Sequence, residues 1–210
     1  MKRIISCIIG LLAAFCLLTG CKNQYPYYDM PIEPIQTGSP GMSGLTIFTI
    51  DELSDLEEYC DVIVRGKVTI GTAKVKTSQR GNWKEDKWNY YTQSALTISE
   101  VYQGDLKAGD KITLSEPWFV EKNEDGEDIL HIVGSYMPSD PNQEYVFCLV
   151  YHSGSYDPLA DTYAPLTSGN CRYPVDNTTA HAAKLKKLDL PDPPKSYNTI
   201  YEEIQEKYLS

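Results

Sequence analysis

The apolar positions of this chain change period in an order that predicts a β-rich domain with helices at its ends. Asp61 to Ile70 alternates, with Val62, Val64, Val68 and Ile70 on one face and Arg65, Lys67 and Thr69 on the other. That is the pattern of a half-buried strand. Gly66 in its middle predicts a bend or bulge, which a curling sheet requires. A second strand runs from Thr92 to Tyr102, where Ser94, Leu96 and Ile98 share a face until Val101 breaks the parity. The slip predicts a bulge near Ser99 and Glu100. After the punctuation of Gly104-Asp105 and Ala108-Gly109-Asp110, a third strand follows at Lys111 to Leu114. Trp118 to Glu121 and Ile129 to Val133 then flank Asp125-Gly126, a hairpin-turn signal. Glu144 to Tyr151 is apolar on both faces and reads as central, and short pieces at Thr162 to Ala164 and Arg172 to Val175 close the sheet.

Helical signals bracket these strands. Thr49-Ile50-Asp51-Glu52 has the spacing of a capping box ahead of Leu53 and Leu56, which predicts a helix ending near Tyr59. Two more helices are expected at Thr178 to Leu188 and at Tyr197 to Leu209, the latter with Ser196 as N-cap. Ile200, Ile204 and Tyr208 form its apolar stripe, and Pro191 to Pro194 separates the pair. No internal repeat is visible.

Before the domain, Lys2 and Arg3 precede an apolar run, Ile4 to Leu18, that is too short for a comfortable membrane span and closes on Leu18-Thr19-Gly20-Cys21. These residues resemble the lipobox of bacterial lipoprotein signals. The resemblance implies cleavage after Gly20 and a diacylglyceryl group on the Cys21 thiol, so that membrane lipid itself is the first partner. Two acyl chains, at about 0.8 kcal/mol per buried CH₂, anchor where one holds only marginally. The expected location is the bacterial cell membrane, on its extracytoplasmic side. A secretory signal with a chance cysteine and an uncut signal anchor are the alternatives. Lys22 supplies no aspartate-type retention cue at the next position. Residues 1–20 are thus read as signal peptide, 21–44 as lipidated cysteine and tether, and 45–210 as one domain. The tether reading rests on Tyr-Pro-Tyr-Tyr, Met-Pro, Glu-Pro and Ser-Pro-Gly-Met-Ser-Gly, since proline blocks ladder and helix bonding alike. A tyrosine-rich docking peptide is its alternative.

Charge narrows the range of partners. The chain has 19 Lys+Arg against 29 Asp+Glu, and loss of Lys2 and Arg3 with the signal leaves 17 against 29, a net charge of −12. A protein that tracks phosphates needs a basic face, and Lys74/Lys76 and Lys184/Lys186/Lys187 are small and separated. Nucleic acid is therefore not an expected partner. Cys7 and Cys16 leave with the signal, which keeps Cys60, Cys148 and Cys171, an odd number, in the domain. All three pairings are open in an exported protein, and three buried or half-buried thiols are the favoured state. No Cys/His spacing supports zinc, and no cofactor or metal is expected.

Val62 to Val68, Ala95 to Ile112 and Glu144 to Val150, in that order, resemble uncharacterised bacterial lipoproteins with an OB-like barrel, the oligonucleotide/oligosaccharide-binding architecture. The layout is also similar to the netrin-like module of tissue metalloprotease inhibitors. The implied fold is mainly β, an OB-like closed or partly open β-barrel with an N-terminal helix and one or two C-terminal helices. Protease inhibition does not carry over. It would need a free N-terminal cysteine amine and a disulfide framework, whereas Cys21 is acylated on this reading and the cysteines are missing.

Catalytic patterns are poor. HExxH, GxSxG, P-loop and GxGxxG are absent, and His131, facing outward from Leu130 and Ile132, His152 at a strand end and His181 on a helix are read as ordinary surface or strand-end residues. Ser153 or Ser155 beside a histidine would be needed for a Ser/His hydrolase. The acidic stretch Asn123 to Asp128 lacks calcium-loop spacing and reads as a solvated hairpin tip. The best recognition candidate is Arg80 to Tyr91, where Trp83, Trp88, Tyr90 and Tyr91 offer flat faces to a glycan or protein partner. In OB barrels the connection after the first strand binds ligands. The plainer alternative makes Trp88, Tyr90 and Tyr91 strand residues that cover the barrel. The expected function is that of an envelope binding or interaction module. An enzyme acting on envelope polymers and a purely structural lipoprotein are the rivals.

Overall fold

The computed structural model describes residues 27, 29–35, 50–76, 90–154, 159–166, 169–176, 188, 190 and 195–210, with backbone alone for 70–76 and 90. In chain order the elements are β1 (Ile32–Ile35), α1 (Leu53–Tyr59), β2 (Val62–Lys76), β3 (Tyr90–Gln103), β4 (Lys111–Glu116), β5 (Trp118–Lys122), β6 (Asp128–Val133), β7 (Glu144–His152), β8 (Thr162–Pro165), β9 (Arg172–Pro174) and α2 (Tyr197–Tyr208). Five of the strands follow the order β2-β3-β4-β8-β7, and β7 pairs back onto β2, so the sheet closes into a barrel. Pairing is antiparallel except between β4 and β8. The protein is mainly β, an OB-like barrel with peripheral helices. Strand β9 extends the β7 ladder beside β8, and β1, β6 and β5 form a separate three-stranded sheet in that order.

The expected alternation builds the barrel interior. Val62, Val64, Val68, Leu96, Ile98, Leu114, Tyr145, Phe147 and Leu149 fill it. Between β2 and β3 the register slips at Arg65/Gly66, where Ser99 is the extra residue, and at Ile63/Val64, where Tyr102 is. The Ser99 bulge accounts for the parity break before Val101. At Gly66 the strands approach so closely that a Cβ would lie 2.6 Å from the Thr97 carbonyl oxygen and 2.8 Å from Leu96 Cδ1. Only glycine fits without moving the backbone.

A second core lies outside the barrel wall. Ile63, Val146 and Cys148 point away from the lumen and meet Leu53 and Leu56 of α1, Ile200 and Ile204 of α2, and Leu130, Ile132 and Trp118 of the smaller sheet. Strand β7 is therefore buried on both faces, as its apolar run predicts. The β5–β6 hairpin turns at Gly126, φ +84°, while the Asn123 side-chain oxygen accepts from the Asp125 and Glu127 amides at 3.0 and 2.9 Å. This is an Asx-stabilised tip closed by a left-handed glycine.

Three local expectations shift. Helix α1 takes Glu52 as its N-cap, because the Asp55 carboxylate accepts from the Asp51 and Glu52 amides at 2.8 and 3.1 Å. The capping box thus sits three residues beyond the one expected at Thr49. Ser196 occupies the N-cap of α2, yet its hydroxyl donates to the Ile50 carbonyl at 2.7 Å and makes no cap bond. Within the stretch read as tether, Tyr27 is buried and β1 pairs in parallel with β6, from Ile32 opposite Leu130 to Ile35 opposite Val133. Part of that stretch belongs to the folded domain. The helix expected at Thr178 lies outside the described residues apart from Leu188, which packs on the second core.

Candidate functional site

The aromatic recognition candidate joins the first two barrel strands, since β2 ends at Lys76 and β3 begins at Tyr90. Trp83 and Trp88 lie outside the described residues, as does Cys21. Tyr90 and Tyr91 are strand residues, paired with Lys76 and Val75. Tyr91 is half-buried, on the parity opposite Thr92, whose side chain is buried and donates to the Trp118 carbonyl at 2.7 Å. From Tyr91 the outer face of β3 continues through Gln93, Ala95 and Thr97, opposite Thr113 and Lys111 of β4. This wall is small and polar.

Beside it, Arg65 holds the Glu144 carboxylate through Nη2 at 2.6 Å and Nε at 3.0 Å, with Glu100 at 3.9 Å. The Glu144 bonds raise the Arg65 pKa. Burial acts to raise Glu144, but its bonds to Arg65 prevail and hold it below the usual carboxylate range. The charge of Arg65 on the β2 wall is thereby offset by Glu144.

A buried polar cluster lies where β4 ends. Glu116 is wholly buried, and its Oε1 accepts from Ser139 Oγ at 2.7 Å, the Ser139 amide at 3.2 Å and the Tyr136 hydroxyl at 3.2 Å. Arg172 approaches the same oxygen at 3.5 Å while donating to the Met137 carbonyl at 2.7 Å and to Ser139 Oγ at 2.9 Å. Its guanidinium lies 4.3 Å from the Tyr136 ring centroid and 4.9 Å from that of Tyr145. Burial, and then the Glu116 charge, push Tyr136 well above its ordinary pKa. Closed off from solvent, the arrangement joins β4, β9 and the segment between β6 and β7. It is suited to holding the fold. The pattern Ile112-Leu114-Glu116, an acid on the buried parity, is the sequence signal for it, and an expected strand end at Leu114 misses it.

The other chemistry-bearing residues are held in packing roles. His131 faces away from Leu130 and Ile132 as expected, but it is buried, stacked on Phe119 with centroids 4.6 Å apart and set between Glu33 and Glu121 at 3.3 and 4.0 Å. His152 is half-buried at the end of β7, and His181 and Ser155 lie outside the described residues. Cys60, Cys148 and Cys171 are buried thiols and form no disulfide. A bond with Cys60, reinforced by burial, pushes the Cys148 thiol well up, and the Cys148 amide donates to the Cys171 carbonyl at 2.8 Å. Between α1 and α2 runs a shallow groove of about 310 Å³ lined by Glu52, Glu57, Glu203, Glu206 and Lys207 among others. Three of its charged groups are engaged: Glu203 accepts from the Leu53 amide at 2.6 Å, and Glu57 accepts from Lys207 at 2.6 Å and from Tyr208.

Among the described residues, no three His, Cys, Asp or Glu side chains are arranged to hold a metal ion, and no helix is long and apolar enough to cross a membrane. Comparison with known proteins adds no relative to this picture, since no family model, curated protein or solved structure matches the chain.

Proposed function

We propose that this chain is a lipid-anchored, extracytoplasmic bacterial lipoprotein whose barrel serves as a binding module for a protein or glycan of the cell envelope. The observation that carries the binding role is the barrel order β2-β3-β4-β8-β7, because it makes the segment bearing Trp83 and Trp88 the connection between the first two barrel strands. That connection is a ligand-binding loop in OB barrels. The anchor rests on Leu18-Thr19-Gly20-Cys21. Stacking aromatic faces would supply affinity that the small and polar residues of the β3–β4 wall do not.

Binding is tested with the anchored protein in native membranes and with purified cell-wall glycan, comparing the parent with Trp83→Ala/Trp88→Ala. Loss of glycan co-sedimentation or of a specific membrane partner in the double variant is expected. Unchanged recovery would remove the aromatic loop from the proposal. Cys21→Ser should release the protein from membranes, and tight retention of that variant would contradict lipidation.

A further inference from the structure

We propose that docking of β1 leaves so short a leash to the acylated Cys21 that the side of the domain carrying Tyr27 and Trp118 is held toward the bilayer. The inference rests on lipidation of Cys21 as proposed above, and adds an orientation that an anchor alone does not impose. Only six residue steps separate Cys21 from Tyr27. At about 3.3–3.6 Å per residue, Tyr27 stands at most about 20–22 Å from the acylated residue. A compact domain of roughly 160 residues is about 40 Å across, so its centre stays about 20 Å or more above the headgroups. A point leashed within that radius remains on the bilayer-facing half.

What shortens the leash is on the inner edge of the fold. Tyr27 is 7% exposed and meets Trp118 edge-on, with ring centroids 5.0 Å apart. Met30 and Ile32 pack against the second core. The Leu130 amide donates to the Pro31 carbonyl at 2.9 Å, and the Gly134 amide to that of Ile35 at 3.2 Å. Were these contacts broken, the next described residue along the chain would be Ile50, 29 steps from Cys21. A flexible leash of that length has a root-mean-square span of about 30 Å and a much longer reach, and the orientation would be lost. Attraction to lipid does not explain the approach. Glu33, Glu121, Glu124, Asp125 and Glu127 lie on this sheet and its hairpin, and Lys122 is paired with Asp128 at 2.8 Å. Anionic headgroups would repel such a surface, so the covalent leash sets the distance.

The test places a donor dye on Asp29→Cys or Ala108→Cys in the acylated full chain, reconstituted in phosphatidylcholine vesicles with acceptor-labelled headgroups. Both positions are exposed, and the domain's own thiols are buried. Position 29 adjoins Tyr27, whereas 108 lies in the turn after β3, whose far end at Thr92 touches Trp118. The Gly109 amide next to it donates to the Ile98 carbonyl at 2.8 Å, six strand residues from Thr92. At about 3.3 Å per strand residue the two labels are roughly 20 Å apart along β3, and energy transfer at 29 is expected to exceed that at 108. The asymmetry should vanish in Tyr27→Asp/Ile32→Asp. It should also vanish when 20 Gly/Ser residues are inserted between Lys22 and Asn23, upstream of every described residue. Equal transfer at the two positions in the parent, or an asymmetry that survives the insertion, overturns the inference while the anchor stands. Protein that never acquires lipid and stays in the supernatant overturns the anchor and the orientation together.

Discussion

Glu116 tolerates complete burial because Arg172 stands beside it. One of its oxygens, Oε2, has no hydrogen-bond partner among the described residues, so the guanidinium and the donors on Oε1 carry the compensation. Removing one partner of a buried pair leaves an uncompensated charge and costs about 3–5 kcal/mol. Arg172→Ala is expected to lose stability on that scale in urea titration, and Glu116→Gln in the same background should restore part of it. A loss below about 1 kcal/mol would show that the pair does not hold the fold. The tyrosines determine the alkaline limit. Burial pushes Tyr27 and Tyr145 up to about 12, and Tyr136 well above its ordinary 10.0, whereas in the unfolded chain they titrate near 10.0. Above that value the folded state binds more protons than the unfolded one, so stability is complete below pH 10 and declines as the pH rises toward 12. At the acid end, burial works against Glu57 and Glu144, but their bonds to Lys207 and Tyr208 and to Arg65 hold both below 4.5. Their contribution is present above 4.5 and lost as the pH falls through the lowered values. Melting temperatures measured from pH 3 to 11 should form a plateau with two falling limbs, and a flat profile at pH 11 would contradict the tyrosine assignment.

Among the elements, β2 and β3 show how far a local pattern reaches. The alternation of Val62, Val64 and Val68 places their faces, and the parity break before Val101 locates a bulge, both from sequence alone. Gly66→Ala tests the closeness of the two strands. Its methyl group would meet the Thr97 carbonyl oxygen and Leu96, an overpacking that costs about 1–3 kcal/mol. Chemical denaturation reads this directly, and an unaffected midpoint would mean that the strands are free to separate. Helix α1 shows where local pattern stops. Its first amide, at Leu53, is capped by Glu203 of α2, while Gln103 at the end of β3 donates to the Glu57 and Cys60 carbonyls at its other end at 3.0 and 2.8 Å. Orphan groups at helix ends take whatever partner the fold brings, so the starting residue follows from tertiary contacts.

At the scale of the whole molecule, two cores share the β2–β7 wall, and the N-terminal stretch completes the outer one. A chain that starts at Gln36 lacks Tyr27, Met30 and β1, and should melt roughly 5–15 °C below one that starts at Lys22, the counterpart of about 2–4 kcal/mol of lost burial. Equal melting temperatures would return that stretch to the role of a spacer. The barrel strands, the β5–β6 hairpin with its Asp125-Gly126 turn and the stripe of α2 were legible in sequence, because each depends on neighbours within a few positions. Barrel closure was reached only through the resemblance to OB-like barrels, and the burial of Glu116 and His131 and the docking of β1 were not legible. Closure needs β7 against β2 and β4 against β8, an acid becomes a core residue only when an arginine from β9 arrives beside it, and a four-residue strand containing Pro34 has no local signal until β6 offers its edge. Local physics determines which segments can pair; the energy of burying two faces together decides which of them do.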